Sequence, residues 1–159
     1  MEKRGLFTKG MKDLIIRKIR PSDFEPVLTL LEANIPRYFA ESELEDFRTY
    51  LQSELEEYFL LELKNRLIGA GGINYHKASQ MAFLSWDFLH PAYHGKGYGR
   101  QLCEHRLQVL RCKSINQVEV RTSQLAADFY RKMGFQLVET KANFWAEGFD
   151  LYHMKQILS

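Results

Sequence analysis

The chain has 159 residues, 45% of them hydrophobic and 26% charged, which is typical of a soluble globular protein and fits a single domain over residues 1–159. With 22 basic and 20 acidic residues, the net charge of +2 argues against a nucleic-acid partner. No apolar run is long enough to span a bilayer and no signal-peptide core follows the basic start, so we expect no membrane partner, a cytoplasmic location and a loose leader over 1–13.

The elements are predicted from hydrophobic periodicity and composition, in chain order. Strands are expected where β-branched, aromatic and aliphatic residues cluster or alternate, over 14–20, 58–63, 67–75, 81–90, 117–121, 135–140 and 149–156. Helices are expected at helical apolar spacing, over 24–32, 42–51, from about 98 to 113, and 125–133. Glycines at 69, 71 and 72 predict a bulge or a close backbone approach in the third strand. The order β-α-α-β-β-β-α-β-α-β-β is that of a mixed α/β fold.

The two cysteines, Cys103 and Cys112, fall in one predicted helix. Their spacing separates them by roughly 13 Å along the helix axis, which is too far for a disulfide. We therefore expect two free thiols, as is usual in a reducing compartment. The five histidines are scattered along the chain, so no metal site is expected.

A glycine-rich loop separates the fourth predicted strand from the third helix. The strand ends before Pro91, and three glycines follow at alternate positions over 95–99. Glycine lets backbone N–H groups approach an anion closely, and a helix start adds partial positive charge. Lys96 and Arg100 add full charges. A helical pattern then follows, at Leu102, Arg106, Leu107, Val109 and Leu110. The segment therefore predicts a phosphate-binding loop.

The glycine spacing excludes two common nucleotide motifs. Arg100 stands where G-x-G-x-x-G needs its third glycine, and the pattern G-x-x-x-x-G-K-[ST] is absent, which disfavours a nucleotide-binding α/β domain. What remains is His94-x-x-Gly97-x-Gly99. It resembles the acyl-CoA loop of the GNAT superfamily of N-acetyltransferases, Q/R-x-x-G-x-G/A, with His94 in the Gln/Arg position. The lead-in over 89–93 also resembles that family's fourth strand and turn.

A second segment resembles the same family. It is the helix and exit turn that match the family's A-x-x-x-Y-x-K-x-G-F, here Ala126-x-x-x-Tyr130-x-Lys132-x-Gly134-Phe135. The family usually has an asparagine seven residues before the tyrosine, where this chain has Ser123. A serine can cap a helix but lacks the donor and acceptor pair of an amide. The order of elements is also that of the family, so the resemblance covers nearly the whole chain.

The resemblance implies a GNAT-like fold, with a mixed, mostly antiparallel central sheet flanked by helices. It implies transfer of an acetyl group from acetyl-CoA, as co-substrate, to a primary amine of a small molecule or peptide, by direct attack through a tetrahedral intermediate. No metal is expected, and a homodimer is left open. The departures at His94 and Ser123 keep an alternative open, a non-catalytic acyl-CoA-binding or sensing module on the same fold.

The resemblance also implies roles for individual residues. The Leu89 backbone lies against the pantetheine arm, and its N–H is the expected donor to the tetrahedral intermediate. The Tyr130 hydroxyl is expected to hydrogen-bond or protonate the leaving thiolate. The residues expected to bind the cofactor are Leu89, His94, Gly95, Lys96, Gly97, Tyr98, Gly99, Arg100 and Ser123.

The amine must lose a proton before it attacks, because an alkylamine has a pKa of about 10.4. Asp87, two residues before Leu89, is one candidate base, and Glu119 on the next strand is its rival. A water chain is the third alternative. The sequence indicates the binding site of the amine acceptor less clearly. The aromatic candidates for lining that site are Tyr38, Phe39, Phe144, Trp145 and Tyr152.

Overall fold

The computed structural model describes residues 13–159, so the expected leader lies outside the described residues except for Asp13. Within this range the order and type of the elements match the prediction. The strands are β1 Leu14–Lys18, β2 Glu57–Leu63, β3 Arg66–His76, β4 Met81–Leu89, β5 Gln117–Thr122, β6 Gln136–Ala146 and β7 Phe149–Ile157. The helices are α1 Phe24–Glu32, α2 Glu43–Ser53, α3 Tyr98–Cys112 and α4 Ala127–Lys132.

The boundary of β6 was predicted wrongly. The expected strand stops at Thr140, whereas β6 continues to Ala146 and pairs with β7 as a long hairpin. Nearly all of β6 is exposed, so its sequence lacks the apolar alternation that marks a half-buried strand. Pairing with a neighbour, rather than burial, extends this strand.

The strands form one mixed, mostly antiparallel sheet in the order β1-β2-β3-β4-β5-β7-β6, which confirms the predicted fold class. The pair β4–β5 is parallel, and the other neighbours are antiparallel. Pairing of β4 with β5 ends at Leu84 and Val120. The C-terminal half of β4 therefore separates from β5, and a gap opens at this end of the sheet.

Helices cover the sheet on both faces, and each face has its own apolar core. On the α1–α2 face, Val27 and Phe47 pack with Tyr58 and Leu60. On the α3–α4 face, a separate cluster includes the following residues from helices and strands: Leu102, Leu107, Leu110, Ala127, Tyr130, Ile73, Leu84, Val120 and Met154. Strand β4 contributes side chains to both cores, so it is the central element of the fold.

A β-bulge in β4 changes which side chains face each core. The register with β3 shifts in this region, and Trp86 has a φ of +47°. Before the bulge Leu84 belongs to the α3–α4 core; after it Phe88 belongs to the α1–α2 core and Leu89 packs on the α3–α4 side. The bulge thereby directs Asp87 and Leu89 to the same face, as their two-residue spacing predicts.

The thiol prediction is confirmed, because Cys103 is buried and Cys112 is exposed, and both are free. Among residues 13–159, no helix combines the length and the apolar character needed to cross a membrane. Within the same residues, His, Cys, Asp and Glu side chains form no group of three or more suited to a metal ion.

Candidate functional site

A groove of about 1280 Å³ follows the gap between β4 and β5. It runs from the connection between α2 and β2, past the end of β4, to the glycine loop and α4. Most of the predicted site residues line it: Asp87, Leu89, His94, Gly95, Gly97, Gly99, Arg100, Ser123 and Tyr130. Lys96 and Tyr98 are not among its lining residues, so the structure does not bring them to the groove wall.

The backbone of Leu89 faces the gap. The His90 N–H donates to the Ile68 carbonyl at 2.8 Å, which makes Gly69 and Leu89 a pair that is not hydrogen-bonded to each other. The Leu89 N–H and carbonyl therefore point away from β3, on the side where pairing with β5 has already ended. This orientation suits an N–H that is to bind a ligand carbonyl.

Two side chains, one buried and one half-buried, hold the Leu89 carbonyl in place. The Asn34 amide nitrogen donates to it at 3.0 Å, and His94 Nε2 lies 3.2 Å away. A carbonyl only accepts, so Nε2 of His94 must carry the proton and the imidazole is a donor here. His94 thus ties the glycine loop to the end of β4. Asn34, only 2% exposed, was not found from the sequence, because a single polar residue after a helix is usually solvated.

The glycine loop has the backbone geometry of an anion site. Gly95 and Gly97 have φ of +73° and +90°, a left-handed conformation that side-chain-bearing residues rarely adopt. Gly97 is the N-cap of the 15-residue helix α3, and it has no side chain to occupy the first-turn N–H groups. These groups and the helix dipole are available to phosphate. A Cβ on Gly99 would make only ordinary contacts of 3.5–3.6 Å, so packing does not require glycine there.

The serine at the family's asparagine position makes a local contact. Ser123 Oγ accepts the Leu125 N–H at 3.2 Å in the turn before α4, whereas the N-cap of α4 is Ala126, so serine does not take the capping role expected for it. The neighbouring Gln124 supplies an amide pair instead: its nitrogen donates to the Gly148 carbonyl at 2.7 Å, and its oxygen accepts the Asp150 N–H at 2.9 Å. Gln124 therefore joins the end of β5 to the β6–β7 turn beside the groove. The motif spacing in the sequence does not predict this contact of Gln124.

The two predicted catalytic side chains contact each other. Tyr130 is 2% exposed, and its hydroxyl donates to Asp87 Oδ2. The same carboxylate oxygen accepts Arg106 Nη2 at 2.6 Å. Burial, and then the negative charge of Asp87, raise the pKa of Tyr130 well above its ordinary value, while the Arg106 charge opposes this. Tyr130 therefore keeps its proton at neutral pH and acts as a hydrogen-bond donor.

Arg106 was not singled out as a site residue from the sequence. It falls within the apolar stripe of α3, four residues after Leu102 and four before Leu110. A charged residue on such a stripe is the signal that could have identified it, since arginine is rarely fully buried without a partner. Burial is the largest single influence on the pKa of Arg106 and lowers it, but the charge and hydrogen bond of Asp87, together with Tyr130 and Cys103, leave the pKa raised.

Glu119, the rival base, is engaged by side chains of β5 and β7. Its carboxylate accepts the Gln117 side-chain amide at 2.8 Å and lies 2.7 Å from His153 Nε2. The other ring nitrogen of His153 is 3.7 Å from Glu139. Glu119 is not among the lining residues of the groove.

The expected acceptor-side aromatics divide into two groups. Tyr38, Phe39 and Trp145 line the groove, and the Trp145 indole N–H donates to the Thr122 carbonyl at 3.0 Å. Phe144 and Tyr152 do not line it. Phe144 is 41% exposed, and Tyr152 packs against the α3–α4 core.

Comparisons with known proteins agree with this geometry. A family model described as an acetyltransferase (GNAT) domain matches residues 29–158. Among solved structures, the ribosomal-protein-S18-alanine N-acetyltransferase from Escherichia coli is 17% identical, with a TM-score of 0.77 over 92% of this chain and 94% of that chain. Ard1 from Thermoplasma volcanium is also 17% identical, with a TM-score of 0.74 over 92% of this chain and 99% of that chain.

An IAA acetyltransferase from Bacillus cereus is a third such neighbour, 17% identical with a TM-score of 0.73 over 91% of this chain and 99% of that chain. At these identities the likeness to solved structures shows the fold alone. No curated protein matches the sequence at a significant level. Since the family model covers most of the chain, the protein belongs to the GNAT family of acetyltransferases.

Proposed function

We propose that the protein is an N-acetyltransferase that moves the acetyl group of acetyl-CoA to a primary amine of a small molecule or peptide. The observation that carries this proposal is the Leu89 N–H facing the gap between β4 and β5. The start of α3 at one end of this gap and Tyr130 on its wall support the same chemistry. Binding of the nucleotide end and transfer of the acetyl end then occur in one continuous groove.

Residues along the groove suit both the pyrophosphate and the pantetheine arm of acetyl-CoA. The N–H groups over 95–100 suit its pyrophosphate, because Gly95 and Gly97 adopt left-handed conformations and no heavy atom lies within 4 Å of a Cβ built on Gly95. Lys96 and Arg100 are exposed beside the loop and add positive charge, although Lys96 does not line the groove. The separated strands accept a pantetheine arm, whose amides would bond to the backbone edge of β4.

The transfer follows from these positions. The neutral amine nitrogen forms a bond to the thioester carbon, and the carbonyl oxygen gains negative charge that the Leu89 N–H stabilises. The intermediate collapses with cleavage of the carbon–sulfur bond. The Tyr130 hydroxyl then donates to the sulfur, which needs only modest help because a thiol has a pKa of about 8.5.

The proton of the attacking amine needs an acceptor. Asp87 Oδ2 already accepts two donors, from Arg106 and Tyr130, and Glu119 is held by Gln117 and His153. These contacts support a water chain over direct abstraction by either carboxylate.

The experiment that tests the function is a panel of amines with acetyl-CoA, followed by release of free thiol and by mass spectrometry of the amine. We expect amine-dependent release for at least one class. A reaction without amine is the control, because the exposed Cys112 also reacts with thiol reagents. CoA binding without transfer to any amine would contradict the proposal. It would support the acyl-CoA-binding module, which the engagement of the Tyr130 proton by Asp87 favours.

Substitution of Gly97 tests the loop. Gly97→Val introduces a branched side chain at a φ of +90° and should weaken CoA binding strongly. Gly148→Val is the matched control, since Gly148 has a φ of +84° in the β6–β7 turn, outside the loop. Calorimetry should show weakened CoA binding only for the first variant.

A melting assay tests the choice of cofactor. CoA should stabilise the parent protein more than NAD or ATP does, and equal stabilisation by NAD would contradict the assignment of the loop to acyl-CoA.

A further inference from the structure

The proposed reaction does not by itself use Arg106, the largest fully buried side chain in the described residues. It lies in α3 with 1% of its surface exposed. A buried ion pair is weak evidence for stability, because well-packed apolar residues often replace one without loss. An arginine at this position therefore suggests a role beyond packing.

The contacts of Arg106 fix its orientation. Nη2 donates to Asp87 Oδ2 at 2.6 Å, Nη1 to the Gly72 carbonyl at 3.1 Å, and Nε to the Leu102 carbonyl at 3.4 Å. The planar guanidinium is thus held by its own helix, by β3 and by β4. Because Asp87 is held from this side, its Oδ2 atom has a fixed position for a second donor.

The sheet leaves space for the pair by omitting a side chain. A Cβ on Gly71 would lie 2.8 Å from the Asp87 Cβ and 3.0 Å from the Arg106 Cζ, closer than real Cβ atoms normally come. The glycine on β3 therefore leaves the space that the aspartate of β4 and the arginine of α3 occupy. The second donor to Asp87 is Tyr130, from α4, which lines the groove.

We propose that Arg106 and Asp87 are positioning residues for Tyr130. Asp87 holds the Tyr130 hydroxyl at the groove wall, and Arg106 keeps Asp87 paired when that hydroxyl turns to the departing sulfur. This inference rests on the acetyl transfer proposed above. A phenol has one proton, which in the resting structure is donated to Asp87. When the hydroxyl rotates, one hydrogen bond is exchanged for another. Asp87 keeps Arg106 as its partner, so the buried guanidinium and the half-buried carboxylate stay paired.

The principal test replaces both charges together, which avoids an unpaired buried ion. In Asp87→Leu/Arg106→Leu the chain should fold, and kcat should fall by roughly 10²-fold, the effect of misplacing a catalytic group by about 1 Å. The amine KM and the CoA Kd should change little. If this variant does not fold, the neutral polar pair Asp87→Asn/Arg106→Gln takes its place. A folded variant with the parental kcat would overturn the proposal.

A double-mutant cycle separates positioning from general damage. If the pair acts through Tyr130, the same two substitutions should lower kcat no further in a Tyr130→Phe background. An additive loss would overturn the proposal. Asp23→Asn is the matched control: Asp23 pairs with Arg17 through two hydrogen bonds of 2.9 Å, and neither residue lines the groove. It should lower stability and leave kcat unchanged.

A spectroscopic readout does not depend on activity. With ¹³Cζ-labelled tyrosine, the Tyr130 resonance is identified by its loss in Tyr130→Phe, and it should shift in Asp87→Asn. An unshifted resonance would overturn the positioning role. If the Tyr130 resonance shifts in Asp87→Asn but the parent protein acetylates no amine, the contact is supported and only the proposed function is contradicted.

Discussion

The two faces of the β3–β4 pair bury a tyrosine hydroxyl in different ways. On the α1–α2 face, Tyr58 is 1% exposed and donates to the Trp86 carbonyl at 2.6 Å, among the rings of Phe47 and Tyr50. On the α3–α4 face, Tyr130 is 2% exposed and donates to the carboxylate of Asp87. One acceptor is neutral backbone, and the other is a charge that needs its own counter-ion.

The difference separates a structural hydroxyl from one suited to function. A backbone carbonyl satisfies a buried hydroxyl without adding any charge to the interior. Burying the Arg106 guanidinium costs several kcal/mol, which its attraction to the half-buried Asp87 carboxylate must offset. The charged arrangement lies on the groove wall, whereas Tyr58 is not among the lining residues. We infer that the Tyr58 hydroxyl serves stability and that the Tyr130 hydroxyl is positioned for function.

Removal of each hydroxyl is the strongest test of this comparison. Tyr130→Phe should lower turnover by roughly 10²–10⁴-fold if its hydroxyl acts in the transition state. Tyr58→Phe should leave turnover unchanged and lower stability by about 1 kcal/mol, the usual contribution of one hydrogen bond. Steady-state kinetics and urea unfolding of both variants provide the measurement. Equal turnover in the two variants would contradict the proposed difference in role between the Tyr130 and Tyr58 hydroxyls.

Replacing a glycine of β3 by alanine on each face should have a smaller effect, which is on stability. A Cβ on Gly72 would lie 2.5 Å from the Tyr58 ring and 2.8 Å from the Glu57 carbonyl, whereas the nearest atom to a Cβ on Gly71 is the Asp87 Cβ at 2.8 Å. Overpacking typically lowers stability by about 1–3 kcal/mol. We expect Gly72→Ala to fall nearer the upper limit and Gly71→Ala nearer the lower. Urea unfolding measures both, and the reverse order would contradict the packing described here.

The smallest expected effect is on stability at alkaline pH. Burial raises the pKa of Tyr58 and of Tyr130 well above the value of about 10 in an unfolded chain. Each neutral phenol therefore stabilises the fold below about pH 10, and this contribution is lost as the pH rises above that value. Tyr58→Phe and Tyr130→Phe should each show a shallower loss of stability than the parent between about pH 9 and pH 11. An unchanged slope in both variants would contradict burial of the hydroxyls.

The predictions that rested on local sequence were mostly correct. The predicted bounds of α1, residues 24–32, match the structure, and Lys64 and Asn65 form a tight turn between β2 and β3 with φ of +50° and +67°. The glycine loop was placed between β4 and α3 because turn and helix-start chemistry depends on neighbours in the chain. The extent of β6 was predicted wrongly, since an exposed strand is defined by its partner and not by its own pattern.

The candidate site could be predicted only in part. His94, Gly97 and Tyr130 were found because each occupies a fixed place in a short motif. Asn34 and Arg106 were missed, although both bond directly to predicted site residues. Asn34 is 55 positions from its partner Leu89 and Arg106 is 19 positions from Asp87, so no local pattern connects them.

The sequence by itself determined the order of the elements and the glycine loop, because helix periodicity, strand composition and glycine conformation act over a few neighbouring residues. Tertiary structure decided the direction of Asp87, since the bulge at Trp86 sets which core each later side chain of β4 faces. It also decided that Arg106 and Tyr130 share one carboxylate oxygen. That contact exists only when α3 and α4 pack on the same face of the sheet, and packing is a property of the whole chain.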